Sequence, residues 1–182
     1  NPILYEDRDP SLWRGLFRNH LLASLPGAAS MTLKALQSNN PALRMESVHA
    51  LNFLDSTVAE AAGWWLLASD RNLMVRRQTL QALADKCSVD ESDANCSARL
   101  MLFLDDAEQE LVWTARDALL YIDPSLALGG AVQQYKLDAL SILAPDLEKK
   151  SEKAYAVLDV LSSDQDALVR KSAEKISNYF EP

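Results

Sequence analysis

The strongest constraint on the fold of this chain is a short pattern that occurs twice between residues 40 and 86. Each copy has a helix-capping residue, an apolar-Arg pair beginning three residues later, and an Ala-Leu pair seven and eight residues after the apolar anchor. The two copies are Asn40, Leu43-Arg44 and Ala50-Leu51, and Asn72, Val75-Arg76 and Ala82-Leu83. Asn caps helices well, and this apolar spacing is helical. The pattern therefore predicts two equivalent helices.

Weaker copies follow the first two. Leu111 and Val169 are further anchors, and Val132 fits as the anchor of a degenerate unit. Four residues after the well-matched anchors stands a small residue, which would let paired helices approach closely: Ser47, Thr79, Ala115 and Ala173. The copy at Leu111 departs from the rule, because Val112 replaces the Arg and Trp113 follows it. A repeated helical unit predicts a stacked array, since one hairpin cannot bury its own apolar stripe.

The predicted fold class is all-α, with about nine to ten helices in antiparallel pairs, because the loops are short and Leu and Ala dominate. We expect a single domain over 1–182. Within it, 1–25 would form a lead-in and an N-terminal cap helix that carries Trp13 and Phe17. The remaining 26–182 would form about five hairpins, the one near 124–143 being irregular. A continuous helix is predicted over 58–67, and another from 131 to 143 that stops at Ala144-Pro145.

This pattern resembles the HEAT family and its short bacterial HEAT-like relatives over about residues 28–180. In such arrays the pattern opens the second helix of each hairpin, here called the B helix. The resemblance implies a right-handed superhelix with B helices lining its concave side. The Arg beside each anchor would reach the polar cap of the adjoining unit. The family resemblance implies a non-catalytic scaffold or adaptor that binds a protein or peptide in the concave groove.

The outward ridge of the B helices is the predicted contact surface. Helical phase and the resemblance together select six residues for it: Met45, His49, Arg77, Gln81, Trp113 and Asp117. Trp113 is the most informative of them, because an aromatic side chain directed outward is an effective anchor for a partner. In the pair Trp64-Trp65 at most one side chain can face the core, since neighbours on a helix point about 100° apart.

Charge and hydropathy exclude several classes of function. The formal net charge is -8, which argues against nucleic-acid binding because phosphate contacts need a basic face. No apolar run is long enough to span a bilayer, so no membrane contact is expected within this chain. The chain begins with Asn1-Pro2, so either a leader was removed or this is a piece of a longer protein.

The two cysteines, Cys87 and Cys96, flank one polar interhelical loop. They could form a disulfide that closes a short loop, or remain two free thiols at helix ends. A disulfide would indicate a periplasmic or other extracytoplasmic location, and free thiols a cytoplasmic one.

Residues that could carry catalysis or bind a metal are sparse. His20 and His49 have no partner ligands at metal-binding spacing, and Asp105-Asp106 with Glu108 fits the start of a helix better than a calcium loop. With no nucleophile or phosphate-loop motif, we expect no enzyme activity, metal or cofactor. Two alternatives stay open: a HEAT-like enzyme or enzyme subunit similar to bilin lyases, and a structural periplasmic module of a larger anchored protein.

Overall fold

The structure is a computed structural model that describes residues 27–51, 60–89 and 95–180. Within these ranges every regular element is helical, which confirms the predicted all-α class. The predicted cap helix with Trp13 and Phe17 lies outside the described residues, as does His20. The chain divides into two compact units, 1–89 and 90–182, and each is described by itself. The single domain over 1–182 stays a prediction.

The first unit contains helices α1 (Ala28–Leu36), α2 (Pro41–Ala50) and α3 (Leu73–Val89), with a 3₁₀ helix (Trp64–Ser69) before α3. Helix α2 begins where predicted, because the Asn40 side chain accepts a hydrogen bond from the Ala42 amide at 3.0 Å and Pro41 suits the first turn. Helix α2 packs against α1 and α3, and α3 also packs against the 3₁₀ helix.

The second unit contains six helices in its described part. They are α4 (Asn95–Leu100), continued by a 3₁₀ turn (Met101–Phe103), then α5 (Gln109–Leu120), α6 (Pro124–Leu128), α7 (Gln133–Glu148), α8 (Glu152–Ser162) and α9 (Ala167–Phe180). Helix α5 packs on α4 and α6, while α7, α8 and α9 pack on one another. Helix α6 has only five residues, so the first helix in the region 124–143 is a single short one.

The continuous helix predicted over 58–67 is wrong in its described part. Residues 60–61 are helical, but Gly63 adopts a left-handed φ of 60° and the chain continues as the 3₁₀ helix Trp64–Ser69. A glycine reaches this conformation without steric cost, so the helix ends there instead of extending to Leu67.

Helix α7 does not stop at Pro145, which corrects a second prediction. Proline removes the hydrogen bond to the Ser141 carbonyl, but Ser141 and Pro145 are both exposed, so water can reach that group. Continuing the helix brings Leu147, which is 1% exposed, into the core. The helix ends instead at Glu148, with Lys150 at a left-handed φ of 55°, and α8 begins at Glu152.

Apolar residues on the inward faces of these helices form the core of each unit. Leu80 and Leu83 are 1% exposed or less in the first unit, as are Leu111 and Leu143 in the second. Among the described residues, no helix is both long and apolar enough to cross a membrane.

Candidate functional site

The turn before α3 positions this helix through a small hydrogen-bond network. The Asp70 carboxylate accepts a hydrogen bond from the backbone N–H of Asn72 at 2.8 Å. The Asn72 side-chain oxygen in turn accepts one from the backbone N–H of Met74 at 3.0 Å. Arg76 returns to the turn and donates to the Asp70 carbonyl at 3.0 Å. An acceptor, a cap two residues later and an Arg four residues after the cap thus fix where the helix starts.

The same arrangement recurs before α2 and α9. Ser38 and Asp164 take the place of Asp70 and accept bonds from the amides of their caps, Asn40 and Asp166. Arg44 and Arg170 donate back to the carbonyls of Ser38 and Asp164. Before α5, Asp106 accepts from the Glu108 amide at 2.8 Å, but Val112 leaves the Arg position empty. The sequence repeat therefore corresponds to a repeated local geometry.

One lateral ion pair joins α2 to the turn before α3 in the first unit, and another joins α7 to the turn before α9 in the second. Nε and Nη2 of Arg44 donate to the two carboxylate oxygens of Asp70 at 2.6 and 2.8 Å, with side chains 8% and 7% exposed. The predicted contact of Arg44 with the next cap, Asn72, is wrong in its acceptor, which is Asp70, two residues before that cap. In the second unit, Lys136 makes the corresponding 2.7 Å bond to Asp164.

Because Lys136 makes the bond that Arg44 makes in the first unit, the anchor of the degenerate unit is Tyr135 and not Val132. Val132, the predicted anchor, is 57% exposed and only precedes α7, whereas Tyr135 is 5% exposed. With Tyr135 as anchor, Lys136 takes the Arg position, and Ala139, which is fully buried, takes the small position. All five small positions are then fully buried: Ser47, Thr79, Ala115, Ala139 and Ala173.

Four of the six predicted contact residues lie on the first unit. Met45 and His49 are half-buried on α2, one turn apart. Arg77 and Gln81 are exposed on α3, and the Gln81 amide donates to Asp85 at 2.8 Å. Since α2 and α3 pack together with their first turns tied by Arg44 and Asp70, these four residues belong to one packed pair of helices.

The other two predicted residues lie one turn apart on α5 of the second unit. Trp113 is 44% exposed, although α5 is anchored by Leu111 and Ala115, which are 1% and 0% exposed. Asp117 is exposed as a residue, but its carboxylate accepts a 2.8 Å bond from the Tyr135 hydroxyl. Partial burial raises the pKa of Asp117, and the bond from Tyr135 offsets only part of that effect.

Sequence reasoning missed the buried cation beside this pair. The Arg116 guanidinium donates to the carbonyls of Ala127 and Gly129, at 3.0 Å for Gly129, and lies 5.9 Å from the centre of the Tyr135 ring. Arg116 is 8% exposed and closes the C-terminal end of α6, where carbonyls lack helical partners. In the sequence, Gly129-Gly130 marks the end of α6, but it does not point to Arg116 as the cap.

A second tyrosine–carboxylate pair, formed by Tyr121 and Asp146, lies between α5 and α7. The Tyr121 hydroxyl donates to Asp146 at 2.9 Å. Burial, together with the bond to this carboxylate, raises the pKa of Tyr121 to about 12. Burial and the neighbouring Asp117 also raise the pKa of the buried Tyr135. Both hydroxyls therefore stay protonated and hold α7 against α5.

The tryptophan pair divides as expected. Trp64 is 4% exposed, whereas Trp65 is half-buried. The Trp64 indole N–H has no hydrogen-bond partner among the described residues, which indicates a packing role for its ring.

Cys87 and Cys96 are joined in a disulfide, and both are 1% exposed. Of the two alternatives left open by the sequence, the structure contains the disulfide.

Over the described ranges, His, Cys, Asp and Glu side chains do not gather in a group of three or more that could hold a metal ion. In comparisons with known proteins, neither a family model nor a curated protein matches this chain.

Proposed function

We propose that this chain is a HEAT-like helical repeat protein whose hairpins stack into a right-handed superhelix. We further propose that it binds a protein or peptide through the outward ridge of its B helices and catalyses no reaction. The observation that carries the proposal is the exposure of Trp113 on a helix whose opposite face is fully buried. The recurring turn networks support the repeat, since they set the start of α2, α3 and α9 in the same way.

The setting of Trp113 favours recognition over a purely structural role. The residue is 44% exposed, yet α5 is held in place by buried residues, so binding would cost little backbone entropy. Asp117 lies one turn further on and is oriented by the Tyr135 hydroxyl. An aromatic anchor beside an oriented polar group is a combination typical of binding hot spots.

Selection of peptides from a random library on the immobilised protein supplies ligands even when the natural partner is unidentified. Their dissociation constants are then measured for the wild type and for a variant that combines Trp113→Ala with Arg77→Glu. Loss of a hot-spot aromatic should weaken binding by roughly thirtyfold, or about 2 kcal/mol. The matched control is Leu102→Ala, a residue 48% exposed outside the ridge. Unchanged binding by the combined variant would refute this choice of surface.

A structural module in an extracytoplasmic compartment is a second candidate, favoured by the disulfide between Cys87 and Cys96. Mass spectrometry under non-reducing conditions tests it on protein taken from its native compartment. The mass should correspond to the oxidised form, and two free thiols in that sample would count against this candidate.

A further inference from the structure

The last B helix presents an apolar groove to solvent. A groove of about 530 Å³ is lined by side chains of α9: Ser172, Lys175, Ile176, Asn178, Tyr179 and Phe180. Tyr179 is 80% exposed, and its ring meets that of Phe180 edge to face with centroids 5.0 Å apart. A side chain of this size left in water, beside a groove with aromatic walls, marks a candidate binding surface.

The charge around this groove distinguishes α9 from the other B helices. Lys171 and Lys175 occupy the two register positions that Met45 and His49 occupy on α2. Both lysines are exposed, and within the described residues neither forms an ion pair or a hydrogen bond. They lie four residues apart on one helix face, where like charges repel. An anionic group placed between them would relieve that repulsion.

We propose that α9 docks an acidic peptide segment of a partner protein, with carboxylates at Lys171 and Lys175 and an apolar side chain in the groove beside Ile176 and Tyr179. The inference rests on the proposed function and deepens it by naming the partner's chemistry at one B helix. A peptide fits better than nucleic acid, because the formal charge of -8 repels a continuous polyanion, while a short acidic segment meets only the local lysines.

Polar residues on one flank of α9 argue against the alternative that another helical hairpin packs on this helix. Glu174 and Ser177 stand five and eight residues after the Val169 anchor, where α3 has the buried Leu80 and Leu83. Glu174 is exposed and Ser177 half-buried. That flank does not suit another apolar hairpin, so a peptide in the groove is the better match for α9.

The direct test uses a fluorescein-labelled peptide with glutamates on both sides of a Leu-Phe pair, followed by fluorescence anisotropy. Reversing both lysines, Lys171→Glu with Lys175→Glu, should raise Kd about tenfold, and Tyr179→Ser about fivefold. The control Lys149→Glu changes a lysine at the C-cap of α7 whose side chain is 75% exposed, and its Kd should stay within about twofold of the wild type. Added salt should weaken wild-type binding.

Several results would overturn the inference. They are an equal Kd for the lysine-reversed variant, equal binding of a peptide with Lys in place of Glu, and tighter binding of an oligothymidylate. A wild-type dimer in sedimentation velocity that the lysine reversal dissociates would identify a second copy as the occupant. The Trp113→Ala, Arg77→Glu variant should keep the acidic peptide. If it loses that peptide while the lysine-reversed variant keeps it, the α9 docking inference fails and the proposed ridge stands.

Discussion

The ion pair between Arg44 and Asp70 should contribute far more to the free energy of unfolding than a typical surface pair does. Its side chains are 8% and 7% exposed, and the guanidinium meets both carboxylate oxygens. Substituting Asp70→Asn leaves the Arg44 charge buried without its partner. Removing one member of a buried pair costs about 3–5 kcal/mol, and we expect about 3 kcal/mol because Arg44 keeps its bond to the Ser38 carbonyl.

Urea denaturation followed by circular dichroism measures this cost for Arg44→Met, Asp70→Asn and the double variant. The double variant should lose less than the sum of the single losses, with a coupling energy of about 2 kcal/mol. Lys149→Met is the matched control, since its pair with Asp146 has side chains 75% and 36% exposed and should contribute about 0–0.5 kcal/mol. If Asp70→Asn costs no more than this control, the attribution to burial is refuted.

The same pair predicts a direction for acid sensitivity. Burial raises the pKa of Asp70, but the hydrogen bond from Arg44 and the Asn72 amide outweigh it, so the pKa is lowered from 3.8. A lowered pKa stabilises the fold above pH 3.8, and that contribution is lost as the pH falls further through the folded-state pKa. Asp70→Asn should remove this part of the acid dependence.

Two further predictions concern cross-links within the fold. Replacing Cys87 and Cys96 with serine should lower the free energy of unfolding by about 2–3 kcal/mol, and dithiothreitol should destabilise only the wild type; equal stability of its oxidised and reduced forms would contradict this. Tyr121, whose pKa is raised to about 12, stabilises the fold fully below pH 10.0 and loses that contribution as the pH rises through about 12. Difference absorbance titration against Tyr121→Phe should show this value, and Asp146→Asn should lower it; an ordinary pKa in the wild type would contradict the assignment.

The sequence predicted the helical class and most helix starts because caps and apolar spacing are local. It placed Asn40 at the start of α2 and Asn72 before α3, and the structure agrees. It missed the acceptor two residues before each cap, although Ser38, Asp70, Asp106 and Asp164 were all visible at that spacing. A pairwise motif of that kind becomes meaningful only once the returning Arg is seen to bind its carbonyl.

The errors arose where tertiary burial decided between local alternatives. Val132 and Tyr135 are three residues apart and share one helix face, so periodicity could not tell which is buried. Pro145 usually ends a helix, but here the lost bond faces water while Leu147 gains burial. The predicted ridge residues Trp113 and Asp117 do lie one turn apart on α5, and their role in binding stays a prediction.

The self-contained turn before α2, α3 and α9 has a consequence for how such a chain can evolve. Three residues, for example Asp70, Asn72 and Arg76, determine where one helix starts. Duplicating a hairpin also duplicates these three residues. Most other positions are then free to diverge as long as the inward ones stay apolar. A lineage of this kind can keep its architecture long after pairwise sequence similarity has faded.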